Sequence, residues 1–397
     1  MKIGIIKEGK VPADKRVPFT PQQCREIKNK FGVEVVVQSS EVRSFPDEMY
    51  VEQGIKVVSD ISDCDVLFGV KEVPVEELLP GKTYFFFSHT IKKQPHNKKL
   101  MKALLEKKIS MVDYECLTYA NGDRIIGFGR FAGIVGTYNA LLAYGRRYSI
   151  YDLKPAHLCV DRAELEKELK KVKLPPIKIV FTGGGRVANG TLEILNTLGL
   201  RNVTPEEILS TSFDEPVYSQ LHGDHYYHRK DDGRFNMEEM VQHPERYRSV
   251  FPPYTKVADI YIPCHFWSPK GDVFFTREDM VLKDFRIKVI ADITCDINGS
   301  VPSTIRSSTI AEPLYGFNPV SGKEVGPFDS SAVTVMAVDN LPCELPRDAS
   351  ADFGAALIEK VLPGLLSNDP DQIIERATIC KGGSLMEKFS YLKDYTL

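Results

Sequence analysis

Three short stretches of this chain set polar residues directly after apolar runs, an arrangement that delivers side chains to a ligand at strand ends. Val66-Leu67-Phe68-Gly69-Val70 runs into Lys71-Glu72, and Tyr84-Phe85-Phe86-Phe87 runs into Ser88-His89-Thr90-Ile91-Lys92-Lys93-Gln94. Arg124 sits beside the glycine-broken run Ile125-Ile126-Gly127-Phe128-Gly129. Ligands of parallel sheets collect at strand carboxyl ends, and an amine beside an imidazole there suits proton transfer. Taken singly, each has a plainer reading: the lysine as a solvated strand terminus, the histidine as a hydrogen-bonded structural group. A fourth stretch raises the chemical reading. Lys178-Ile179-Val180-Phe181-Thr182 enters Gly183-Gly184-Gly185-Arg186-Val187-Ala188, in which Gly183, Gly185 and Ala188 satisfy G-x-G-x-x-A. Leu192, Ile194, Leu195 and Leu198 then continue at helical spacing. Glycine permits the tight turn, its missing side chain lets backbone approach a pyrophosphate, and the helix N-terminus supplies unpaired N–H donors. A strand before and a helix after make the match specific for a dinucleotide rather than a loose glycine loop.

These residues need a scaffold, and the sequence predicts an α/β one. The first third alternates strand candidates Lys2–Ile6, Val33–Val37, Val66–Val70, Thr83–Phe87 and Met111–Tyr114 with amphipathic stretches Pro21–Phe31, Pro46–Gly54 and Pro95–Lys107. Such alternation predicts a largely parallel sheet. A long helix over Phe131–Arg146 carries small faces at Gly133, Gly136 and Ala140, and Lys154–Pro175 reads as a solvated helix and linker. A second α/β unit opens at Ile177, with strands expected at Ile177–Thr182, Ile208–Ser212, Ile260–Pro263, Lys288–Asp292 and Thr334–Val338. Residues 214–256 read as an insertion within it. The closing helices, Ala349–Leu366 and Pro370–Thr378, are too few to stand alone and are expected to pack back on the first domain.

Length and composition agree with this layout. At 397 residues the chain exceeds what one core usually organises, and 43% hydrophobic with 26% charged residues is ordinary for a globular protein. A formal charge of −3 recommends neither nucleic acid nor an anionic membrane as partner. No apolar run is long enough for a bilayer span, and Met1–Ile6 is too short in its apolar part for a signal peptide. The eight cysteines, all 31 or more residues apart, form no Cys-x-x-Cys pair. Reduced thiols in a cytoplasmic enzyme fit that spacing.

The strand after the glycine turn normally ends in an acid that takes the adenosine ribose hydroxyls. The expected strand here ends in Leu209-Ser210-Thr211-Ser212, with Asp214 two residues late. Hydroxyls in place of a carboxylate favour NADP over NAD, with Arg229 or Lys230 as a cation for the 2′-phosphate or simply as surface charge. His222, His225 and His228 invite a metal, but their setting favours a surface aromatic–histidine patch or an oligomer contact, and no metal is expected.

Several motifs in order resemble one family. Lys15-Arg16 with Thr20-Pro21, Gly69-Val70-Lys71-Glu72-Val73-Pro74, Ser88-His89-Thr90-Ile91-Lys92, residues 124–136, Phe181–Gly190, His243-Pro244-Glu245-Arg246-Tyr247 and Val338-Asp339-Asn340-Leu341-Pro342 are similar to the alanine dehydrogenase/saccharopine dehydrogenase superfamily. The likeness points to the lysine–2-oxoglutarate reductase domain of aminoadipic semialdehyde synthase and to lysine-forming saccharopine dehydrogenase. It implies two Rossmann-like domains with parallel sheets and an interdomain cleft. A discontinuous substrate domain (1–130 plus 345–397) would accompany a dinucleotide-binding domain (131–344). It also implies roles: Lys71 and His89 as the acid/base pair; Arg16, Lys92, Gln94, Arg124 and Phe128 around substrate; Gly183, Gly185, Arg186, Ala188, Ser212, Asp339, Asn340 and Leu341 around NADP or NAD.

The activity so implied joins lysine and 2-oxoglutarate into saccharopine, a molecule with three carboxylates. Arg16, Lys92 and Arg124 are the cations expected to hold them. An imidazole titrates near neutrality unaided, whereas Lys71 needs burial or neighbouring cations to lower its pKa. Two rival readings stand: an alanine dehydrogenase-like enzyme, for which Lys92 and Gln94 have no distant carboxylate to meet, and a non-catalytic dinucleotide sensor, which would not need Lys71 and His89. A homo-oligomer or a partner saccharopine dehydrogenase is left open.

Overall fold

A computed structural model describes residues 1–396. They divide into two compact units, residues 1–128 with 346–396 and residues 129–345. All eight cysteines are free.

The first unit is built on strands β1 (Lys2–Ile5), β2 (Glu34–Gln38), β3 (Lys56–Val58), β4 (Val66–Phe68), β5 (Thr83–Phe86) and β6 (Ser110–Asp113), all parallel in the order β6-β5-β4-β1-β2-β3. The strands are short Val, Ile, Leu and Phe runs because both faces of such a sheet are covered; Ile3, Ile5, Val37, Leu67, Phe68, Phe85 and Phe86 are fully buried. The Pro21–Phe31 helix forms where predicted. Thr20 and Gln23 make a reciprocal capping box, proline opens the first turn, and Gly32 closes it in the left-handed region at φ 66°. The C-terminal segment completes this core. Phe353 and Leu357 of the Pro346–Lys360 helix are buried in it, and Ser350 Oγ accepts the N–H of Val17 at 2.9 Å. Beyond the expected helices lie two strands that the sequence reading missed, Thr378–Lys381 and Ser384–Leu385; the first pairs antiparallel with β6.

The second unit carries β7 (Lys178–Thr182), β8 (Arg201–Asn202), β9 (Val217–Leu221), a hairpin of β10 (Tyr227–Arg229) and β11 (Tyr247–Ser249), then β12 (Ile260–Pro263), β13 (Val289–Ala291), β14 (Leu314–Asn318), β15 (Lys323–Val325) and β16 (Val333–Met336). Its eight-stranded sheet runs β15-β14-β16-β13-β12-β7-β9-β8, parallel except for β14 and β15. The Gly129–Tyr148 and Arg186–Thr197 helices touch backbone to backbone. A Cβ on Gly133 would lie 1.9 Å from the Val187 carbonyl oxygen, and one on Gly190 would lie 1.9 Å from that of Arg130.

Two expectations for this unit fail. Residues 208–212 are not a strand: Pro205–Ser210 is a helix, capped reciprocally by Thr204 and Glu207. The strand beside β7 is β9, inside the stretch read as an insertion, so the excursion begins only after Leu221.

Candidate active site

In the first unit, strand order reverses between β1 and β4, the point at which open α/β sheets form a ligand crevice. Strand β4 borders it, with β5 and β6 next in order, and the three carry Lys71, His89 and Glu115 just past their carboxyl ends. His89 sits in the left-handed region at φ 52°, unusual for a residue with a Cβ. Asp113 braces this geometry: its carboxylate accepts the N–H of Ser88 at 3.0 Å and that of Glu115 at 2.7 Å, and also the Ser88 hydroxyl.

Lys71 is partly buried. Burial, then the positive charges of Arg16 and Lys10, hold its ammonium pKa below the usual lysine value, against the opposing pull of Asp14 and Glu72. His89 Nδ1 lies 2.5 Å from Glu72 Oε1, so Glu72 fixes the ring while Nε2 points elsewhere. Burial pushes the Glu72 carboxyl upward, but the His89 hydrogen bond, a backbone N–H and the charges of His89 and Lys10 bring it down to about 2.

The expected substrate cations are present but not unpaired. Arg16, only 3% exposed, makes a two-point contact with Asp14, Nε to Oδ1 at 3.0 Å and Nη2 to Oδ2 at 2.6 Å. Its guanidinium also lies 4.2 Å from the Phe128 ring centroid, and Phe128 stacks on Phe353 at 4.4 Å. Lys92 Nζ is 3.1 Å from Glu115 Oε1, which Arg124 also contacts; two cations share one carboxylate. Burial raises the Glu115 pKa, and Arg124 and Lys92 more than offset it, leaving it low. Gln94 is exposed, and its backbone carbonyl receives the Tyr395 hydroxyl. Sequence reasoning passed over Glu8, Asp14, Asp113, Glu115 and Phe353. The available signals were weak: Asp14 lies two residues before an arginine, and Glu115 follows a strand end.

In the second unit, order reverses between β7 and β12, and Gly183–Ala188 falls there. Gly183 has φ 101°, and a Cβ on it would meet the Cys264 carbonyl oxygen at 2.7 Å. Gly185 caps the 12-residue helix that follows, and a Cβ there would meet nothing within 4 Å. A turn with one glycine demanded by backbone and another facing open space, ahead of a helix N-terminus, fits a dinucleotide pyrophosphate. Below it, His265 is buried between Thr182 Oγ1 (2.7 Å) and Ser300 Oγ (2.8 Å). Burial drives its pKa down to about 3, so it is a neutral structural imidazole.

Ala188 is buried on the helix and Arg186 exposed at its start. Asp339 and Asn340 follow β16, and Leu341 packs near Gly136. Ser212 does not join them. It lies beside Lys178, at the amino end of β7, because helix Pro205–Ser210 and not a strand precedes it. The residues that do follow the strand beside the glycine turn are His222, Asp224 and His225. His222 Nδ1 would be 3.2 Å from a Cβ on Gly184, and His225 Nδ1 is 3.2 Å from Asp224 Oδ1. Among the described residues, no three His, Cys, Asp or Glu side chains are placed to hold a metal, and no helix is long and apolar enough to cross a membrane.

Two doubly wound units, one with a glycine turn at its switch point and one with an amine and an imidazole at its own, define the class of two-unit α/β dehydrogenases. Residues 4–135 match the family described as "Alanine dehydrogenase/PNT, N-terminal domain". The chain is 30% identical to alpha-aminoadipic semialdehyde synthase of Arabidopsis thaliana across 98% of its own length and 41% of that protein. It is also 30% identical to the mitochondrial protein of that name from Mus musculus, across 96% of this chain and 46% of the other. The chain thus spans less than half the length of these relatives. Saccharopine dehydrogenase [NAD(+), L-lysine-forming] of Emericella nidulans is 25% identical over 91% of both chains. A solved L-alanine dehydrogenase shares the fold with a TM-score of 0.65 at 17% identity, each chain fully covered. Along nearly its whole length the chain is similar to proteins of the alanine dehydrogenase/saccharopine dehydrogenase superfamily.

Proposed function

We propose that this chain catalyses the reversible reductive condensation of L-lysine and 2-oxoglutarate to saccharopine. The observation that carries this reading is the grouping at one sheet edge: a lysine of lowered pKa, an imidazole fixed by a carboxylate, and a separate two-cation cluster. Lys71 and His89 are assigned the proton transfers. As the substrate amine adds to the ketone, one group removes the proton from nitrogen, and the other protonates the oxygen that leaves as water. Glu72 holds the His89 ring with Nδ1 occupied, which leaves Nε2 for substrate. The Lys92–Arg124–Glu115 cluster sets two cations on one carboxylate and would receive a substrate carboxylate, while Arg16, paired with Asp14, would orient another beside Phe128. Gly183, Gly185, Arg186, Ala188, Asp339, Asn340 and Leu341 are assigned to the dinucleotide, which when bound in reduced form supplies the hydride for the imine carbon.

The coenzyme assignment follows the real strand. Favouring NADP rested on Ser212, which lies at the wrong end of the sheet. Asp224, just past β9, brings a carboxylate that suits a ribose diol and repels a 2′-phosphate, so NAD is the coenzyme we assign. Asp224→Ser should then narrow the gap between NADH and NADPH dissociation constants; an unchanged gap would remove Asp224 from that role. The substrate reading is tested by initial rates with lysine plus 2-oxoglutarate against pyruvate plus ammonia. Saturable turnover with the first pair is expected, and turnover with the second pair alone would overturn it.

A further inference from the structure

The turn that carries Lys71 is held by a residue 63 positions away in sequence. Strand β4 stops at Phe68, yet its pairing with β5 continues: the N–H of Gly69 reaches Phe85 O at 2.9 Å, and Phe87 N–H reaches Val70 O at 3.0 Å. On the opposite side β1 has already ended, with Ile6 N–H on Phe68 O as its last bond to β4. The N–H groups of Val70 and Lys71 therefore have no strand to meet there. Glu8 replaces it. Its Oε1 accepts the Val70 N–H at 2.7 Å and its Oε2 accepts the Lys71 N–H at 2.9 Å. Gly69 permits this approach, since a Cβ on it would lie 2.6 Å from Ile6 Cδ1 and 3.4 Å from Glu8 Oε1.

We propose that Glu8 is a positioning residue for the reaction, its carboxylate clamping the Val70–Lys71 backbone so that the Lys71 amine keeps a fixed place. This rests on the reading of Lys71 as a proton-transfer group. The clamp needs both oxygens as acceptors, and only the ionised carboxylate offers them to two N–H donors without conflict. The groups facing Glu8 are Asp14, Arg16, Lys71 and Tyr114, whose hydroxyl is fully buried and unpartnered among the described residues. Burial raises the Glu8 carboxyl to about 8; the Val70 N–H lowers it, Asp14 raises it, and the Lys71 N–H and Arg16 lower it. The clamp therefore titrates around pH 8: half ionised there, complete only well above it and weakened by a proton below it.

Glu8→Gln keeps the size but turns an amide NH2 toward one of the two N–H donors; Glu8→Asp keeps the charge on a shorter arm. Both variants are to be compared with the parent by hydrogen exchange of the 66–74 segment, by kcat and KM across pH, and by the NADH dissociation constant. For Glu8→Gln we expect faster exchange at Val70 and Lys71, and a kcat lowered about tenfold with KM and dinucleotide affinity nearly constant. The component of the pH profile near 8 should also vanish. Unchanged exchange overturns the clamp whatever the reaction proves to be. Faster exchange with unchanged kcat overturns the positioning role, and a proportional rise in KM would mean that Glu8 touches substrate instead. If Glu8→Gln does not fold, Glu8→Asp is judged by the same three measurements. Full activity in Lys71→Met would sink the reading of Lys71, while the exchange result would still decide the clamp.

Discussion

Two alanine substitutions in the glycine turn should separate folding from cofactor binding. At Gly183 the backbone sits at φ 101°, and an added Cβ would meet Cys264 O at 2.7 Å, Cys264 C at 3.0 Å and His265 Cα at 3.2 Å. All three are main-chain atoms that cannot rotate aside. Left-handed strain costs on the order of 1–3 kcal/mol and overpacking a similar amount, so Gly183→Ala should destabilise the protein by roughly 2–6 kcal/mol. Gly185 is the opposite case, with φ −90° and no atom within 4 Å of an added Cβ. Replacing glycine by alanine at this N-cap costs at most about 1 kcal/mol. The same methyl would stand where a pyrophosphate approaches the backbone, so Gly185→Ala should weaken NADH binding at least about tenfold, or 1.4 kcal/mol. Urea unfolding of the ligand-free variants and titration of NADH fluorescence give the two numbers. Parent-like NADH affinity in a folded Gly185→Ala protein would refute the placement of the cofactor on this turn.

Other expectations follow from the same contacts. Gly190→Ala drives a methyl to within 1.9 Å of the Arg130 carbonyl oxygen, so unfolding should move to clearly lower urea; an unchanged midpoint would mean that the two helices part at no cost. Glu72, held at about 2 against an ordinary 4.5, contributes up to about 3 kcal/mol. Because its folded pKa is depressed, that contribution is present above pH 4.5 and lost as pH falls towards 2. Glu72→Gln should therefore cost most at pH 7 and least near pH 3, read from unfolding free energies at each pH. Glu344 works in the other sense. Burial lifts it to about 8 from 4.5 although Asn139 bonds to it, so its stabilisation is complete below 4.5 and declines as pH rises through 8. Glu344→Gln should flatten the decline in stability between pH 5 and 9, and an equally steep decline would remove Glu344 as its source.

The parts of the fold that were legible in sequence are those where local signals and burial agree. Lys2–Ile5 and Ile260–Pro263 are compact apolar strands, and Thr20-Pro21 with Gln23 announces its helix. Ile208–Ser212 misled because Ile208-Leu209 looks like a strand, yet Thr204, Pro205 and Glu207 spell a helix start that outweighs it. The true strand, Val217–Leu221, hides its pattern behind Ser219, which is fully buried, and Gln220, which donates to Gly183 O at 2.9 Å. The expected helix Pro370–Thr378 stops where the strand Thr378–Lys381 begins, and Gly382-Gly383, which marks a hairpin turn beyond it, is the signal for that strand. For the site, lysine, histidine and the glycine turn stand out by residue type. The carboxylates that tune them do not, because Glu8 and Glu72 meet partners 62 and 17 residues distant. Adjacent in sequence to lysines, they look like surface charge.

The central claim is that Lys71 moves a proton for a reaction whose dinucleotide is held elsewhere in the chain. Stopped-flow oxidation of NADH after mixing with lysine and 2-oxoglutarate, in the parent and in Lys71→Met, tests it most directly. Turnover should fall by about 10²-fold or more while NADH binds as tightly as before. Parent-like turnover in Lys71→Met would contradict the account.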